Sequence, residues 1–258
     1  MSNKIIWITG AGTGIGLALV NEYNTADNTI ILSGRKREAL DRVAENIHNP
    51  FVLPLDVTSE DDIAKAVKTV GDKFDRIDIL INNAGVSQRS SVTEVTNKVG
   101  RDLIEVNFFG SIHLTKAALP LLLKSKRSTV VAMSSAAGKF GFPLRTYYSA
   151  SKHALHGWYE SLSMEMDKTP LNVLIVCPGR IKTDISKNAL NGDGTAHNQM
   201  DDGQRFGYPV DKCARKITNA IKRGKREVYI GGKEVVMIYF KRYIPALFWT
   251  IITKVNPK

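Results

Sequence analysis

Cysteine is scarce in this chain, whose 258 residues contain only Cys177, in an apolar strand-like run, and Cys213, in a helix-like one. Two cysteines in such settings do not form a disulfide framework, which indicates a reducing compartment. Low-complexity tracts and internal repeats are also absent. With 43% hydrophobic and 24% charged residues, the composition is that of a folded globular protein and excludes a disordered chain or a coiled coil.

The first residues lack the pattern of a signal peptide. Met1-Ser2-Asn3-Lys4 leads directly into an apolar strand and a glycine turn that cleavage would destroy. We therefore expect a cytoplasmic protein, with peripheral contact at a membrane surface as the open alternative.

The net charge is +11, with a pI near 9.6, and lysines and arginines concentrate in the last quarter of the sequence. Such a balance raises nucleic acid, an anionic membrane or an anionic ligand as partners. No nucleic-acid motif accompanies these residues, so we expect no nucleic-acid role. A solvated surface and a membrane-facing surface remain as interpretations.

Apolar runs rich in β-formers alternate with helical patterns, which predicts parallel strands joined by right-handed crossovers. Strands are predicted at Ile5–Thr9, Thr29–Ser33, Phe51–Leu55, Ile77–Asn82, Thr129–Ser134, Asn172–Val176 and Glu227–Ile230. Helices are predicted at Ile15–Asn24, Arg37–Asn46, Ser59–Phe74, Lys98–Ser125, Ala150–Lys168 and Asp211–Lys222. The strands lack strict alternation, as expected when helices cover both faces of a sheet. We expect one three-layer α/β domain over residues 1–234, with a doubly wound parallel sheet of about seven strands.

Two segments stand apart from this alternation. Ser186–Gly207 is polar and contains glycine, which predicts a mobile surface loop near a site, a substrate loop at about residues 185–208. Residues 235–258 form an apolar and basic tail that is interrupted by Lys241-Arg242 and Pro245, too broken for a spanning helix. Aromatic residues flanked by lysine and arginine suit a membrane interface, and the alternatives are a tail that covers the core or a subunit interface.

A glycine-rich turn follows the first strand and opens the first helix. Gly10, Gly12, Gly14 and Gly16, with Thr13 and Ile15 between them, would let the backbone approach a pyrophosphate at the helix N-terminus. This position after a strand and before a helix is the context that a dinucleotide-binding motif requires.

The end of the second predicted strand selects the dinucleotide. An acidic side chain there accepts hydrogen bonds from the adenosine ribose, whereas a basic one faces a 2′-phosphate. The sequence reads Ser33-Gly34-Arg35-Lys36-Arg37, without an acid, so NADP(H) is favoured over NAD(H), with Arg35 as the phosphate contact. Asp56 and Val57, after the third strand, are placed for the adenine, although Asp56 could equally cap the next helix.

Tyr148 and Lys152 lie four residues apart, just after a strand that ends in Ser134-Ser135. Side chains four apart share one face of a helix, so the phenol and the ammonium would point to the same place. Tyr208/Lys212 and Tyr229/Lys233 have the same spacing, but Pro209 and Gly231-Gly232 break helices there. A cation near a phenol favours the phenolate and would lower the tyrosine pKa toward a working range.

Together these motifs resemble the short-chain dehydrogenase/reductase family in its short single-domain form. The resemblance rests on Thr9–Gly16, Asn82-Asn83-Ala84-Gly85, Asn107, Ser135, Tyr148 with Lys152, and Pro178–Thr183. It implies a Rossmann fold, and it implies Tyr148 as acid and base, Ser135 on the substrate oxygen, and Lys152 on both the tyrosine and the nicotinamide ribose. It also implies that Asn107 anchors a water molecule, that Asn83, Ala84 and Gly85 approach the adenine ribose, and that Pro178, Gly179, Ile181 and Thr183 hold the nicotinamide. Taken singly, Ser135 could only cap a turn and Asn107 could only bond a neighbouring carbonyl.

The expected function is an NADP(H)-dependent oxidoreductase that interconverts a ketone or aldehyde and an alcohol; the family is usually a homodimer or homotetramer. A non-catalytic dinucleotide-binding sensor or scaffold is the alternative. Phe140, Phe142, Pro143 and Leu144 line an apolar substrate pocket or pack on the sheet, and the first case favours a hydrophobic substrate. No metal site is expected, because no carboxylate or thiolate spacing completes a ligand set with His113, His153 or His156.

Overall fold

A parallel sheet runs through the centre of the protein, with strands in the order β3-β2-β1-β4-β5-β6-β7. The computed structural model describes residues 3–254; Met1, Ser2 and residues 255–258, which belong to the expected start and tail, lie outside the described residues. The strands are β1 (Ile5–Thr9), β2 (Thr29–Ser33), β3 (Pro50–Val52), β4 (Ile79–Asn82), β5 (Ser128–Met133), β6 (Leu171–Pro178) and β7 (Glu227–Ile230). The predicted seven-stranded, doubly wound sheet is confirmed.

Helices cover both faces of the sheet. They are α1 (Gly14–Tyr23), α2 (Arg37–Ala44), α3 (Glu60–Phe74), α4 (Asn97–Ile104), α5 (Gly110–Leu123), α6 (Thr146–Glu165), α7 (Asp202–Arg205), α8 (Val210–Lys222), α9 (Val236–Tyr243) and α10 (Pro245–Ile252). Two short 3₁₀ turns lie at Ala136–Gly138 and Lys233–Val235.

Two apolar layers lie on either side of the sheet because successive strand residues point to opposite faces. Trp7 belongs to the layer under α3, α5 and α6, whereas its neighbour Ile8 belongs to the layer under α1, α2 and α8. Both side chains are fully buried. Burying an isoleucine-sized side chain contributes about 1.5–3 kcal/mol, so these layers are the main stabilising element of the domain.

The central helix, predicted at Lys98–Ser125, spans Asn97–Leu123, but it is not α-helical throughout. A π-helical turn at Glu105–Phe109 separates α4 from α5. The whole run Asn97–Leu123 is long and apolar enough to cross a membrane by length and composition. It packs against α3, α6 and the sheet, however, as the core helix of a globular domain does.

Helix α6 begins at Thr146, earlier than the predicted Ala150. The side-chain oxygen of Gln88 accepts hydrogen bonds from the backbone N–H groups of Tyr147 (2.9 Å) and Tyr148 (3.2 Å). These N–H groups have no partner within a helix, so a cap supplied by another segment allows the helix to start here. Tyr148 therefore lies in the first turn of α6, on the same helix as Lys152.

The tail folds back on the domain. The Phe248 ring lies 5.2 Å from the fully buried Phe140 ring, edge to face, in a small cluster that includes Ala136. Phe140 therefore packs in the hydrophobic core and does not line a substrate pocket. The opposite side of the tail exposes Tyr243 (70%) and Trp249 (60%), so one face covers the core and the other faces solvent.

The segment at 185–208 is joined to the loop after β4. Leu190 forms an isolated parallel β-bridge with Gln88, and Asp201 forms an ion pair with Arg89. These contacts bring the segment across the carboxyl ends of the strands, where sites form in sheets of this kind.

Candidate active site

A continuous groove runs along the carboxyl ends of β1 and β4, where the strand order reverses. It consists of three adjoining cavities of about 640, 560 and 90 Å³. The two larger cavities share Gly10, Ala84 and Gly85, and the smallest shares Asn83 and Thr183 with the second. The groove therefore has two ends with different linings, one at Arg35 and Asp56 and the other at Tyr148 and Lys152.

The glycine turn after β1 forms one wall of the groove. Gly10 and Gly14 adopt positive φ angles of 64° and 56°, which favour glycine. A Cβ at Gly16 would collide with the carbonyl oxygen of Gly10, so helix α1 approaches the end of β1 only because residue 16 is glycine. Thr13, the N-cap of α1, makes no side-chain capping bond, so the N-terminus of α1 can receive an anion such as a phosphate.

Thr9 joins the ends of β1 and β4. Its hydroxyl oxygen accepts hydrogen bonds from the backbone N–H groups of Asn83 and Ala84, each at 3.0 Å, and Asn83 Nδ2 donates to the Thr9 carbonyl at 3.0 Å. Asn83, Ala84 and Gly85 are thereby held against the glycine turn. Gly12 lies close to α2, because a Cβ at this position would be 3.4 Å from Ala39 Cβ, and its predicted contact with a ligand stays a prediction.

The largest cavity contains the residues predicted to bind the adenosine end. Arg35, Asp56 and Val57 line it. Asp56 also caps its own turn, because its Oδ1 accepts hydrogen bonds from Thr58 N (3.0 Å) and Thr58 Oγ1 (2.8 Å). Arg37 is engaged in an ion pair with Asp41, which leaves Arg35 as the guanidinium at this cavity.

The smallest cavity brings together Ser135, Tyr148 and Lys152, three residues that the sequence places on two separate elements. Tyr148 is 7% exposed and Lys152 5% exposed. Lys152 Nζ lies 5.8 Å from the centre of the Tyr148 ring and donates a 2.8 Å hydrogen bond to the Met133 carbonyl. Tyr147 is directed elsewhere, with its hydroxyl 3.4 Å from Asn97 Oδ1.

Ser135 caps its own turn and also lines the cavity, so its predicted contact with a substrate oxygen stays a prediction. Its hydroxyl lines the cavity beside Tyr148, accepts a hydrogen bond from Ala137 N at 3.1 Å, and donates to the Pro178 carbonyl at 3.3 Å. Pro178, Gly179, Ile181 and Thr183 line the opposite wall of the same cavity, and Ile15 lies beside them. The residues predicted for the nicotinamide end therefore line the same cavity as Tyr148 and Lys152.

Burial dominates the ionisation of this pair. It raises the pKa of Tyr148, while the neighbouring Ser135 hydroxyl and the charge of Arg145 act in the opposite direction. Burial also lowers the pKa of Lys152 to about 8. The expectation that Lys152 would bring the tyrosine pKa down is not met in the protein alone, because desolvation favours the neutral phenol.

Asn107 lies inside the π turn and faces the end of β4. Its Oδ1 accepts a hydrogen bond from Val86 N (2.8 Å), and its Nδ2 donates to the Val86 carbonyl (2.9 Å) and to Ser151 Oγ (3.1 Å). A Cβ on Gly85 would lie 2.9 Å from Asn107 Oδ1 and 3.5 Å from Lys152 Nζ, so both side chains border this glycine. π turns are frequent where a helix positions a functional side chain.

His156 has a thiol and a carboxylate beside it that its sequence spacing did not reveal. Ligand atoms of His156, Cys177 and Glu227 lie within 4.8 Å of one another, brought together from α6, β6 and β7. Lys139 forms an ion pair with Glu227, and burial raises the pKa of Cys177 well above its ordinary value, so the thiol stays protonated. Ser134 Oγ lies 3.0 Å from His156 Nε2, which makes the group a hydrogen-bonded cluster behind the cavity.

Several residues at the site escaped the sequence analysis. Gln88 caps α6, and Arg89, Arg145, Arg180 and Gln204 surround a further cavity next to Ser135. Arg180 lies within the predicted Pro178–Thr183 motif, which was the one available signal. The others come from loops and from the short helix α7, and they meet only in the tertiary structure.

Comparisons with known proteins agree with this geometry. A family model described as "short chain dehydrogenase" matches residues 4–193. The Drosophila melanogaster protein "Dehydrogenase/reductase SDR family protein 7-like" is 35% identical over 263 residues, covering 98% of this chain and 81% of that protein. The "Dehydrogenase/reductase SDR family member 7" of Homo sapiens is 32% identical over 268 residues, covering 100% and 79%. A solved structure of a short-chain dehydrogenase from Streptomyces avermitilis, 30% identical, superposes with a TM-score of 0.82 over 96% of each chain.

Proposed function

The chain belongs to the short-chain dehydrogenase/reductase family and is an NAD(P)-dependent oxidoreductase, and we propose that it interconverts a ketone or aldehyde and the corresponding alcohol with NADP(H). One observation carries the proposal: Ser135, Tyr148 and Lys152 line one small cavity at the end of a groove that begins with a glycine turn. A proton donor, a hydrogen-bonding hydroxyl and a cation at one point are what carbonyl reduction requires.

The residues of the groove fit a dinucleotide. The uncapped N-terminus of α1 and the close-packed glycines suit a pyrophosphate, and Gly85 suits a ribose that lies against the backbone. When bound, the nicotinamide supplies or accepts the hydride. Pro178, Gly179, Ile181 and Thr183 would hold that end of the molecule beside Tyr148.

Each of the chain's own groups then has one task. The Tyr148 hydroxyl gives a proton to the carbonyl oxygen during reduction and takes it back during oxidation. Ser135 donates a hydrogen bond to the same oxygen while negative charge develops on it. Lys152 holds the ribose and places its charge beside the phenol, and Asn107 anchors a water molecule that resupplies protons through Lys152.

We base the preference for NADP(H) on Arg35. It lines the adenosine cavity, whereas Arg37 is paired with Asp41. We expect Arg35→Asp to weaken NADPH binding far more than NADH binding, because it replaces the phosphate's partner by a like charge. Arg37→Gln, two residues away, is the matched control and should leave the ratio of the two dissociation constants unchanged.

The apolar part of the substrate would lie against Phe142 and Pro143, which line the cavity beyond Ser135. This keeps a hydrophobic ketone or secondary alcohol as the proposed substrate class. We further propose that the chain forms a homodimer or homotetramer, to be measured by light scattering, and binds no nucleic acid.

The decisive experiment compares Tyr148→Phe with Tyr147→Phe. NADPH oxidation is followed against a panel of ketones. We expect Tyr148→Phe to abolish turnover while NADPH still binds, and Tyr147→Phe, whose hydroxyl lies outside the cavity, to retain turnover. Turnover that survives in Tyr148→Phe contradicts the mechanism, and NADPH binding without turnover of any ketone or alcohol would favour a sensor or scaffold.

We propose that the tail, residues 235–258, is part of the domain and contacts a membrane surface from a cytoplasmic protein. Exposed aromatic side chains with lysine and arginine nearby suit the lipid headgroup region. The double variant Tyr243→Ser, Trp249→Ser should lower co-sedimentation with anionic vesicles. Phe206→Ser, which removes an even more exposed aromatic outside the tail, should not lower it; equal sedimentation of both variants would contradict the proposal.

A further inference from the structure

Three arginines from separate segments converge on one small cavity next to Ser135. Arg89 follows β4, Arg145 precedes α6, and Arg180 follows β6. The cavity has a volume of about 40 Å³ and also contains Gln204 of α7. Ser135, Arg145 and Gln204 line the Tyr148 cavity as well, so the two cavities meet at the serine expected to hold the reacting oxygen.

One carboxylate serves two of these arginines. Asp201 is paired with Arg89 through two guanidinium nitrogens, and its Oδ2 also lies 3.5 Å from Arg145 Nη2. The side chains of Arg89 and Asp201 are 6% and 9% exposed, so this pair is a buried link between two loops. The Asp201 carboxylate is engaged mainly by Arg89, so it neutralises the more distant Arg145 guanidinium only in part.

Arg180 has no such partner. Within residues 3–254, no carboxylate lies within ion-pair distance of its guanidinium. Glu234 also borders the cavity, but its Oε1 accepts hydrogen bonds from the backbone N–H groups of Arg180 (2.9 Å) and Gly232 (3.0 Å). Three positive charges thus face two negative ones, which leaves the cavity with an excess of one positive charge.

The positions of these side chains are fixed by their surroundings. A Cβ on Gly203 would lie 2.8 Å from Arg180 Nε, so the guanidinium rests directly on the backbone of that glycine. Leu144, just before Arg145, has a φ of 61°, a conformation that costs a non-glycine residue roughly 1–2 kcal/mol. Such strain persists only where neighbouring contacts hold it, and it occurs most often at binding sites.

Buried hydrogen-bonding groups at the cavity are also unsatisfied. Arg145 Nε and Gln204 Oε1 are shielded from solvent and have no hydrogen-bond partner. An unpaired buried donor is unfavourable, and a charged one more so. Burial, and to a smaller extent the charges of Arg145 and Arg180, lower the pKa of Arg89 to about 9.

We propose that Arg145 and Arg180 form an anchoring subsite for a small oxoanion, a carboxylate or a phosphate group, on the same substrate molecule whose carbonyl oxygen lies at Ser135. The inference rests on the proposed function and specifies its substrate: a carbonyl compound with an anionic end. Guanidinium groups bind such oxoanions with paired hydrogen bonds, and burial strengthens them. The apolar wall at Phe142 and Pro143 then carries the part of the substrate that joins the two ends.

The test compares ketones that differ only in charge. Matched pairs are a keto acid with its methyl ester and a keto phosphate monoester with the uncharged alcohol. We expect the anionic member of one pair to have a higher kcat/KM, by about 10- to 100-fold, as the loss of a hydrogen bond to a charged group predicts. Which pair shows the preference identifies the oxoanion.

Substitutions of Arg180 test whether the preference for the anionic ketone depends on this side chain. Arg180→Met should lower kcat/KM for the anionic ketone at least tenfold more than for its neutral partner, mainly by raising KM, and Arg180→Lys should restore part of the loss. Arg205→Met removes an exposed arginine of the neighbouring α7 and should leave kcat/KM unchanged for both the anionic and the neutral ketone. A direct readout is the rise in melting temperature with acetate or inorganic phosphate, which should be smaller in Arg180→Met than in the wild type.

The outcomes separate this inference from the proposed function. Equal kcat/KM for both members of every pair, or a preference that persists in Arg180→Met, overturns the anion subsite and leaves the oxidoreductase assignment intact. No turnover of any ketone, despite NADPH binding, overturns the proposed function instead. If Arg180→Met does not fold, Arg145→Lys is used in its place. This variant keeps the positive charge but loses the planar guanidinium that bonds an oxoanion through two nitrogens, so it must reduce the kcat/KM preference for the anionic ketone.

Discussion

The side-chain oxygen of Gln88 accepts a 3.2 Å hydrogen bond from the backbone N–H of Tyr148, across sixty positions of the sequence. Gln88 is fully buried, and its Nε2 lies 3.3 Å from Thr146 Oγ1, so it fixes the first turn of α6 from outside the helix. Because Tyr148 lies in that turn, the residue expected to transfer the proton is positioned by a loop on the other side of the groove.

Replacing Gln88 by Met should therefore lower both stability and turnover. Loss of a helix cap costs about 1 kcal/mol, and kcat should fall because the Tyr148 hydroxyl is no longer held in place. Ser59→Ala is the control: Ser59 caps α3 through a 3.1 Å bond from Asp62 N, next to the adenosine end of the groove and outside the cavity that contains Tyr148. Urea denaturation should show similar losses in both variants, with reduced kcat only in Gln88→Met; normal kcat there would contradict this role.

The ionisation of Tyr148 predicts how the two reaction directions depend on pH. Burial raises the tyrosine pKa, so at neutral pH the phenol is protonated and ready for reduction. Oxidation needs the phenolate, whose population increases about tenfold per pH unit below the pKa. Measured kcat/KM for alcohol oxidation should rise steeply with pH, whereas that for reduction should stay nearly level around neutrality.

Arg145→Met should move the oxidation profile to higher pH. The Arg145 charge lowers the pKa of Tyr148, so its removal lets the pKa rise further. Arg205→Met, on the surface, should reproduce the wild-type profile. A profile that is unchanged in Arg145→Met, or displaced toward acid, would show that the guanidinium does not act on the phenol.

Acid should destabilise the protein through His156. Its pKa is lowered to about 4, mainly by burial and next by Lys139, with Glu227 acting in the opposite direction and His153 adding to the decrease. A folded-state pKa below the ordinary 6.5 means that the folded protein resists protonation, so stability is complete above pH 6.5 and is lost as the pH falls toward 4. The loss is about 3 kcal/mol.

His156→Gln should remove this contribution, so its free energy of unfolding should fall less steeply between these pH values than that of the wild type. His48→Gln, at an exposed histidine, should keep the wild-type slope. Denaturant titrations at several pH values measure both, and parallel slopes for the wild type and His156→Gln would contradict the prediction.

Two adjacent tail residues should differ sharply in their contribution to stability. Phe248 is 1% exposed and packs on Phe140, so Phe248→Ala should cost about 3–5 kcal/mol. Trp249 is 60% exposed, and Trp249→Ala should change the free energy of unfolding by no more than about 0.5 kcal/mol. Chemical denaturation distinguishes them, and equal effects would mean that the tail does not cover the core.

Local patterns were sufficient to predict the sheet and to place Tyr148 and Lys152 on one helix. Continuous apolar runs such as Ile79–Asn82 read directly as strands covered on both faces, and the four-residue spacing of Tyr148 and Lys152 fixed their common helix face. Neither inference needs a distant contact. The glycine turn belongs to the same class, because its conformation is set by the absence of side chains.

The rest of the site depends on contacts between distant segments. The Arg89–Asp201 pair joins residues 112 positions apart, and no periodicity in the sequence links them. The start of α6 was predicted too late because its cap comes from Gln88. The π turn at Glu105–Phe109 was missed because Asn107 bonds to Val86, twenty-one positions earlier. The cavity lined by Arg89, Arg145 and Arg180 was missed for the same reason, although Arg180 belongs to the predicted Pro178–Thr183 motif.

The π turn also determines where the central helix can change in length. Such a turn holds one residue more than the α-helical turn it replaces. Removing one residue elsewhere in α4 or α5 would rotate every following side chain by about 100°, which would turn the buried face of the helix toward water. Removing one within Glu105–Phe109 would make the helix regular, so we expect such a deletion to keep the buried faces of α4 and α5 while it displaces Asn107 from Val86.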